Sequence, residues 1–247
     1  MARSESRRRS RSPRSYTLER SAVCDYDLIN TSLNCHVQDD KGTAICKKID
    51  FSEMNRQLMK FVSISAAARF CEQHAAHFNA VNTATATHRL AKLHRSLHFG
   101  HGRQSFGGNE ILQNALSALK NQAFKLAAAF KAQELANFMW ALASLDHDPG
   151  SELIDLILNH ALEKINQFNP QNVSNLSWAL ATLNIKPSQR LFEALSERAL
   201  STSRQFKPQE ISNLLWSMAT LGYRPARLLI DAMTEQALLK MIEFKSQ

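Results

Sequence analysis

The amino-acid sequence predicts an all-α fold, an α-solenoid of stacked helical pairs with a 38-residue period behind a disordered N-terminal tail. Three observations predict it. The run FKAQELANFMWALASL at 130–145 returns as FNPQNVSNLSWALATL at 168–183 and as FKPQEISNLLWSMATL at 206–221, 38 residues apart each time. All three tryptophans, Trp140, Trp178 and Trp216, hold the same place in that unit, and Pro149, Pro187 and Pro225 keep its register further on. Only seven glycines and six prolines interrupt 247 residues that are 44% apolar, enough to bury a core.

The tail comes first. Residues 1–20, MARSESRRRSRSPRSYTLER, carry seven Arg and two Glu and too little apolar content to fold alone. Three readings stay open: an Arg- and Ser-rich organelle transit peptide, an RS-type tail that binds RNA or is phosphorylated, or a basic tail with no dedicated role. There is no apolar segment of the kind a secretory signal needs. Residues 21–51 read as a linker. Cys24, Cys35 and Cys46 are spaced by eleven, and His36 lies among them, but the paired CxxC spacing of a zinc site is missing, so no metal is expected. Four thiols in a chain of this length do not make a disulfide scaffold.

The solenoid is expected over 52–247. Ser52 and Ser65 are candidate N-caps for two lead-in helices within 52–77. FNAVNTATATHRLAKL at 78–93 aligns without a gap to 130–145, with His88 where Trp140 sits, and reads as a degenerate repeat over 78–129. About 14 extra residues in it match the insertion HFGHGRQSFGG at 98–108, and the helix NEILQNALSALKNQAFKLAAA supplies its second half. His94 and His98 have the i, i+4 spacing of a ligand pair, but with glycine and arginine around them a solvated basic loop is the expectation. Regular repeats follow at 130–167, 168–205 and 206–243, and 244–247 reads as the start of another. Each has a first helix, as at 132–145, with Pro170 and Pro208 in the first turn of later copies, and a second helix opened by Pro149, Pro187 or Pro225. A helical pair repeated in register cannot bury its apolar faces alone, so the fold comes from stacking.

On the first helix Leu135, Phe138, Leu142 and Leu145 share a core face, repeated as Val173, Leu176, Leu180 and Leu183. Roughly opposite runs a polar stripe: Gln133, Asn137, Trp140 and Ser144, then Gln171, Asn175, Trp178 and Thr182, then Gln209, Asn213, Trp216 and Thr220. Stacking turns these into ladders of like residues. Amides read base edges and an indole stacks a base, so the ladder is a candidate RNA site, although identical neighbours can equally bond and pack one another. Base choice needs positions that vary between units, which directs it to Glu134, Asn172 and Glu210 and to Met139, Ser177 and Leu215, with His147, Ile185 and Tyr223 a third set.

Charge divides unevenly. Residues 78–129 hold six basic and one acidic side chain, whereas 130–247 hold eleven and twelve. Arg89, Lys92, Arg95 and Arg103 are therefore the candidate phosphate contacts, and simple charge attraction is not the repeats' main contribution.

The run F-x-P-Q-x-x-S-N-L-x-W-A-L-A-T-L at 168–183 resembles the octotricopeptide repeat, a 38-residue helical-pair repeat, and the segment 54–93 resembles the lead-in of the related FAST kinase-like, leucine-rich family. The resemblance covers about 52–247 and implies an organellar protein of the mitochondrion or chloroplast, the mitochondrial matrix being preferred, with the nucleus as the alternative that the Arg/Ser tail suggests. It implies binding of single-stranded RNA alongside other ribonucleoprotein components, in transcript stability, processing, translation or rRNA maturation. Family members commonly end in a RAP domain; this sequence stops before one, and it lacks a kinase's glycine-rich loop and its HRD and DFG motifs. The expectation is a binding protein and not an enzyme, with no cofactor, no membrane and no small-molecule substrate. The rival is a solenoid scaffold for protein partners.

Overall fold

The computed structural model describes residues 34–38, 44–48, 50–98 and 110–241. The Arg/Ser tail, Cys24, His101, Arg103 and the start of a further repeat at 244–247 lie outside them. The chain forms two compact units, residues 1–48 and 49–247. In the first, β1 (Asn34–Gln38) and β2 (Ala44–Lys48) pair antiparallel with His36 opposite Cys46. A linker reading of 21–51 does not anticipate this hairpin, whose strands are five residues each and too short for a strong alternation signal.

The second unit is helical throughout its described residues: α1 (Phe51–Lys60), α2 (Ile64–His74), α3 (Ala80–His98), α4 (Glu110–Leu126), α5 (Ala132–Ser144), α6 (Ser151–Glu163), α7 (Pro170–Thr182), α8 (Gln189–Ser201), α9 (Pro208–Thr220) and α10 (Arg227–Leu239). The expected solenoid of helical pairs is what forms. Local boundaries differ from expectation by two residues, about half a turn. Asp50 and not Ser52 caps α1, its carboxylate accepting from the Ser52 and Glu53 amides at 2.9 and 3.1 Å. Ser63 and not Ser65 stands before α2. The second helices start at Ser151, Gln189 and Arg227, two residues past Pro149, Pro187 and Pro225, so those prolines shape the approach and do not open the helix. Helix α3 runs through to His98, which places His94 on a helix and not in the expected loop.

The first helices α3, α5, α7 and α9 pack side by side along their length, with α1 against α3 ahead of them. The second helices form another layer; α2 and α4 pack closely, but from α4 onward successive members touch only briefly. Between the layers lies the core, and the wheel reading of it holds: Leu135, Phe138, Leu142, Val173, Leu176 and Leu180 are all enclosed, while Leu145 and Leu183 pack at its edge.

Each unit opens on a phenylalanine, and Phe78, Phe130, Phe168 and Phe206 are all buried. A short 3₁₀ turn delivers each ring, closed by its amide onto Ala75, Ala127, Ile165 or Ser203 at 3.0 to 3.2 Å. The phenylalanine carbonyl is then held by a long side chain from the end of the second helix: Gln122 Nε2 on Phe78 at 2.7 Å, Lys164 Nζ on Phe130 at 2.6 Å, Arg198 Nε on Phe168 at 2.6 Å and Lys240 Nζ on Phe206 at 2.5 Å. Counted from the phenylalanine, Arg198 sits one helical turn before the position that Lys164 and Lys240 occupy, so the donor type and its turn change while the bond persists.

First helices end alike. Asp146, Asn184 and Gly222 take φ of 51°, 54° and 70°, the left-handed C′ conformation, and the amides of His147, Ile185 and Tyr223 reach back to Leu142, Leu180 and Met218 at 3.0, 2.8 and 2.9 Å. This is a Schellman closure, which satisfies carbonyls the helix leaves unpaired. It fixes the angle at which the second helix departs.

Candidate nucleic-acid interface

Helices α3, α5 and α7 have neighbours on both flanks, α9 has α7 on one, and second helices lie beneath them. Only a narrow strip stays open to solvent, and that strip is the polar stripe. Gln133, Gln171 and Gln209 are exposed, Asn137, Asn175 and Asn213 are half-buried, and Trp140 and Trp178 are half-buried with Trp216 exposed. Like residues meet across units. Asn175 Nδ2 donates to Asn137 Oδ1 at 3.4 Å, and the Trp140 and Trp178 rings lie 6.3 Å apart, within the range of favourable aromatic pairs.

Helix α3 extends the stripe at the other end. His88 occupies the tryptophan position, its ring centred 5.0 Å from that of Trp140. Burial, with Lys92 adding to it, lowers the His88 pKa from 6.5 to about 4, so the ring is neutral at physiological pH. The Arg95 guanidinium lies 5.6 Å over the Trp140 ring, a cation–π contact, and its side chain is otherwise exposed, as is that of Lys92. Lys92 and Arg95 thus sit where α3 joins the ladder. Arg89 does not: its guanidinium donates to the Phe61 carbonyl in the turn between α1 and α2, and its Nε is buried. It is a tie within the fold, not the expected phosphate contact. The alignment of 78–93 with 130–145 already puts His88 at the tryptophan position; what the sequence does not show is the stacking of Arg95 on Trp140, for which the signal is the spacing of seven that places Arg95 on the face of His88.

The variable positions lie elsewhere. Met139 is 0% exposed, Ser177 is 5% exposed and Asn172 is 3% exposed. These three cannot meet a ligand on this face, because their direction is taken by packing against adjoining helices. Glu134, Asn172 and Glu210 are instead the third residues of their helices, and their side chains accept from the backbone N–H of Lys131, Asn169 and Lys207 at 2.9, 3.2 and 2.9 Å. Asn82 does the same for Asn79 in the degenerate unit, at 3.3 Å. The variation is between capping side chains, one form of the reciprocal cap at helix starts. Leu215 is half-buried against the core. Ile185 and Tyr223 also pack on the core, Tyr223 stacked at 4.4 Å on Phe192 of α8, on the second-helix side. His147 is half-buried with its pKa lowered, first by burial and then by Lys120, against Asp148.

Electrostatics of the stripe follow from this inventory. Its positions in α3, α5, α7 and α9 hold amides, hydroxyls, aromatics, the exposed aliphatic Val81 and the cations Lys92 and Arg95, and no carboxylate. The acids of the first helices, Glu134 and Glu210, are occupied at helix N-termini, where a negative charge also suits the helix dipole. Among the described residues no group of three or more His, Cys, Asp or Glu is placed to hold a metal ion. Cys71 is enclosed beneath α2, and burial pushes its thiol up to about 12, leaving it inert. The arrangement offers hydrogen-bond donors and acceptors on amides, flat aromatic faces, and two cations at one end.

No curated protein matches the chain. A family model does, that of the RNA-editing substrate-binding complex 6 protein, over residues 112–243, from α4 through α10. This span is more than half of the chain and takes in every regular repeat, so the chain belongs to the RNA-editing substrate-binding complex 6 protein family.

Proposed function

We propose that this protein is a non-enzymatic RNA-binding solenoid that holds single-stranded RNA along the strip of its first helices and works within a ribonucleoprotein complex on organellar, preferentially mitochondrial, transcripts. One observation carries the reading: the solvent-facing strip runs from Lys92 and Arg95 through His88 and the tryptophans without a carboxylate. Single strands are bound by such combinations of cations for the backbone and aromatic faces for bases. The family's name, an RNA-editing substrate-binding complex, supports both RNA and protein partners. The resemblance of the repeats to octotricopeptide repeats supports the organellar setting. Lys92 and Arg95 take the phosphate, the constant amides and indoles take bases, and selectivity comes from contacts other than Met139 and Ser177, which are enclosed.

A scaffold reading has its own observation. Helix α10 exposes Leu228, Leu238 and Leu239, with Met241 beyond it, apolar surface on the second-helix layer of a kind that suits a protein partner. Both surfaces can serve one complex, since they belong to different layers.

The test is crosslinking of the expressed protein to total organellar RNA, with sequencing of what is recovered, beside a Lys92→Gln/Arg95→Gln double variant. Enrichment of particular transcripts that falls in the variant supports the reading, and the affinity of the wild type should fall with salt by a log–log slope of about 0.7 per phosphate contacted. Recovery no better than that of an unrelated helical protein removes it.

A further inference from the structure

The rim where first helices end and second helices begin changes sign along the array. After α5, residues 146–155 hold Asp146, Asp148, Glu152 and Asp155 and no lysine or arginine. In the same register after α7, residues 184–193 hold Lys186 and Arg190 against Glu193, and after α9, residues 222–231 hold Arg224 and Arg227 against Asp231. Lys186 and Arg224 both stand where the 130–167 repeat has Asp148, and Arg190 stands where it has Glu152. On the other side of the acidic turn the sign is positive again. A shift of 52 residues puts Lys92 and Arg95 in the register of Ser144 and His147, at the same end of the first-helix layer.

Three of the later cations are unspent. Lys186, Arg190 and Arg224 are exposed and make no ion pair or side-chain hydrogen bond among the described residues, whereas Glu193 accepts from Gln189 at 2.9 Å and Asp231 is paired with Arg227 at 3.5 Å. Exposure here belongs to the register and not to the last unit: Asp148 and Glu152, and then Lys186 and Arg190, each with a following repeat packed beside its own, are exposed too. The strip leads onto this rim. Thr182, its last residue on α7, is exposed, and Lys186 follows four residues later, just past the left-handed Asn184. Packed helices lie about 8–10 Å apart, so Lys186 and Arg224 are one such step from each other along the array.

Resting on the RNA reading above, we propose that Lys186, Arg190 and Arg224 form a second contact for the phosphodiester backbone of single-stranded RNA, separated from the first at Lys92 and Arg95 by the acidic turn after α5. Cations that neutralise phosphates bind by releasing counterions and need no shaped pocket, and arginine adds paired N–H donors that match two phosphate oxygens. An open rim of unpaired cations suits that ligand. Its place beside the strip sets the backbone at the rim while bases lie on the amides and indoles. Asp146 and Asp148 repel the same strand, so it is gripped on either side of their turn and not along it.

The test is fluorescence anisotropy with a labelled RNA of about 16 nucleotides across a salt series, on wild type, Lys186→Gln/Arg190→Gln/Arg224→Gln, Lys92→Gln/Arg95→Gln and Asp146→Asn/Asp148→Asn. The last keeps its turn, since asparagine already holds the left-handed position at Asn184 and an amide oxygen can still accept from the Gly150 N–H. The triple variant should bind about tenfold or more weakly at low salt, with a log–log salt slope smaller by about 2, from three contacts at about 0.7 each, and should unfold in urea at an unchanged midpoint. The aspartate variant should bind more tightly than the wild type. If the triple variant matches the wild type in affinity and slope while Lys92→Gln/Arg95→Gln loses affinity, the second contact is wrong and RNA binding stands. A loss of affinity at an unchanged slope also overturns it, and an aspartate variant no tighter than the wild type removes the separation. Labelled polyglutamate that binds the wild type and not the triple variant, with RNA binding equal in both, assigns the rim to an acidic protein instead. If the wild type binds no RNA, the RNA reading and this contact fall together.

Discussion

Acidification should separate His88 from every other titrating group through a single comparison. Its ring is neutral in the folded protein because burial, and Lys92 after it, lower the pKa from 6.5 to about 4. In the unfolded chain the same imidazole takes a proton near 6.5. A depressed histidine therefore contributes its full share of stability above pH 6.5, and that share is lost as pH falls toward 4, where the unfolded state binds the proton and the folded state resists it. Two and a half pH units at 1.36 kcal/mol each would give ~3.4 kcal/mol for a fully enclosed ring. His88 is only half-enclosed, and solvent screening roughly halves this, to ~1.5 kcal/mol. The assay is urea unfolding of wild type and His88→Gln at about pH 7.5 and about pH 4.5. Carboxylates protonate alike in both proteins, and so does His147, whose pKa is also lowered, so their effects cancel in the difference. The wild type should lose ~1.5 kcal/mol more than the variant on acidification. Parallel losses would show that the ring is free to charge where it lies, and that its contact with Trp140 does not exclude water.

Two further outcomes follow from the packing. Gly222→Ala should cost ~1–2 kcal/mol in urea unfolding and Asp146→Gly should gain ~0.5 kcal/mol, because the two hold the same left-handed C′ position and the space around Gly222 is empty, leaving backbone conformation as the whole cost. A loss at both would mean that Asp146 is kept for its side chain. Met139→Ala should lower stability by ~2–4 kcal/mol while RNA affinity, measured well below the melting temperature, stays that of the wild type; a selective change of affinity would reopen Met139 as a contact.

The period, the helical pair and the core face were legible because each is a property of one strand of sequence compared with itself. Phe130, Phe168 and Phe206 recur at a fixed interval, and so does the spacing of Leu135, Phe138 and Leu142. What could not be read was which neighbour each remaining side chain meets. On the wheel of an isolated helix Met139 and Ser177 lie off the core face and pass for surface; in the array the adjoining first helix closes over them. Variation between units resembles ligand choice in the sequence, yet Glu134 and Asn172 vary because either can bond the backbone N–H three residues back. Arg89 and Arg95 look alike in sequence and part only in space, one tied to the Phe61 carbonyl and one lying over an indole. The carbonyl clamps of Gln122, Lys164, Arg198 and Lys240 escape a simple alignment because the donor shifts by a turn between units.

The unequal packing of the two layers has a mechanical meaning. First helices that touch along their whole length behave like the stiff chord of a beam, and the second helices from α4 onward, which touch only briefly, behave like its compliant side. Bending such a beam opens and closes gaps on the compliant side while the chord keeps its length. The spacing from His88 to Trp216 is then the dimension that bending would change least, and the second-helix side the one that would open and close.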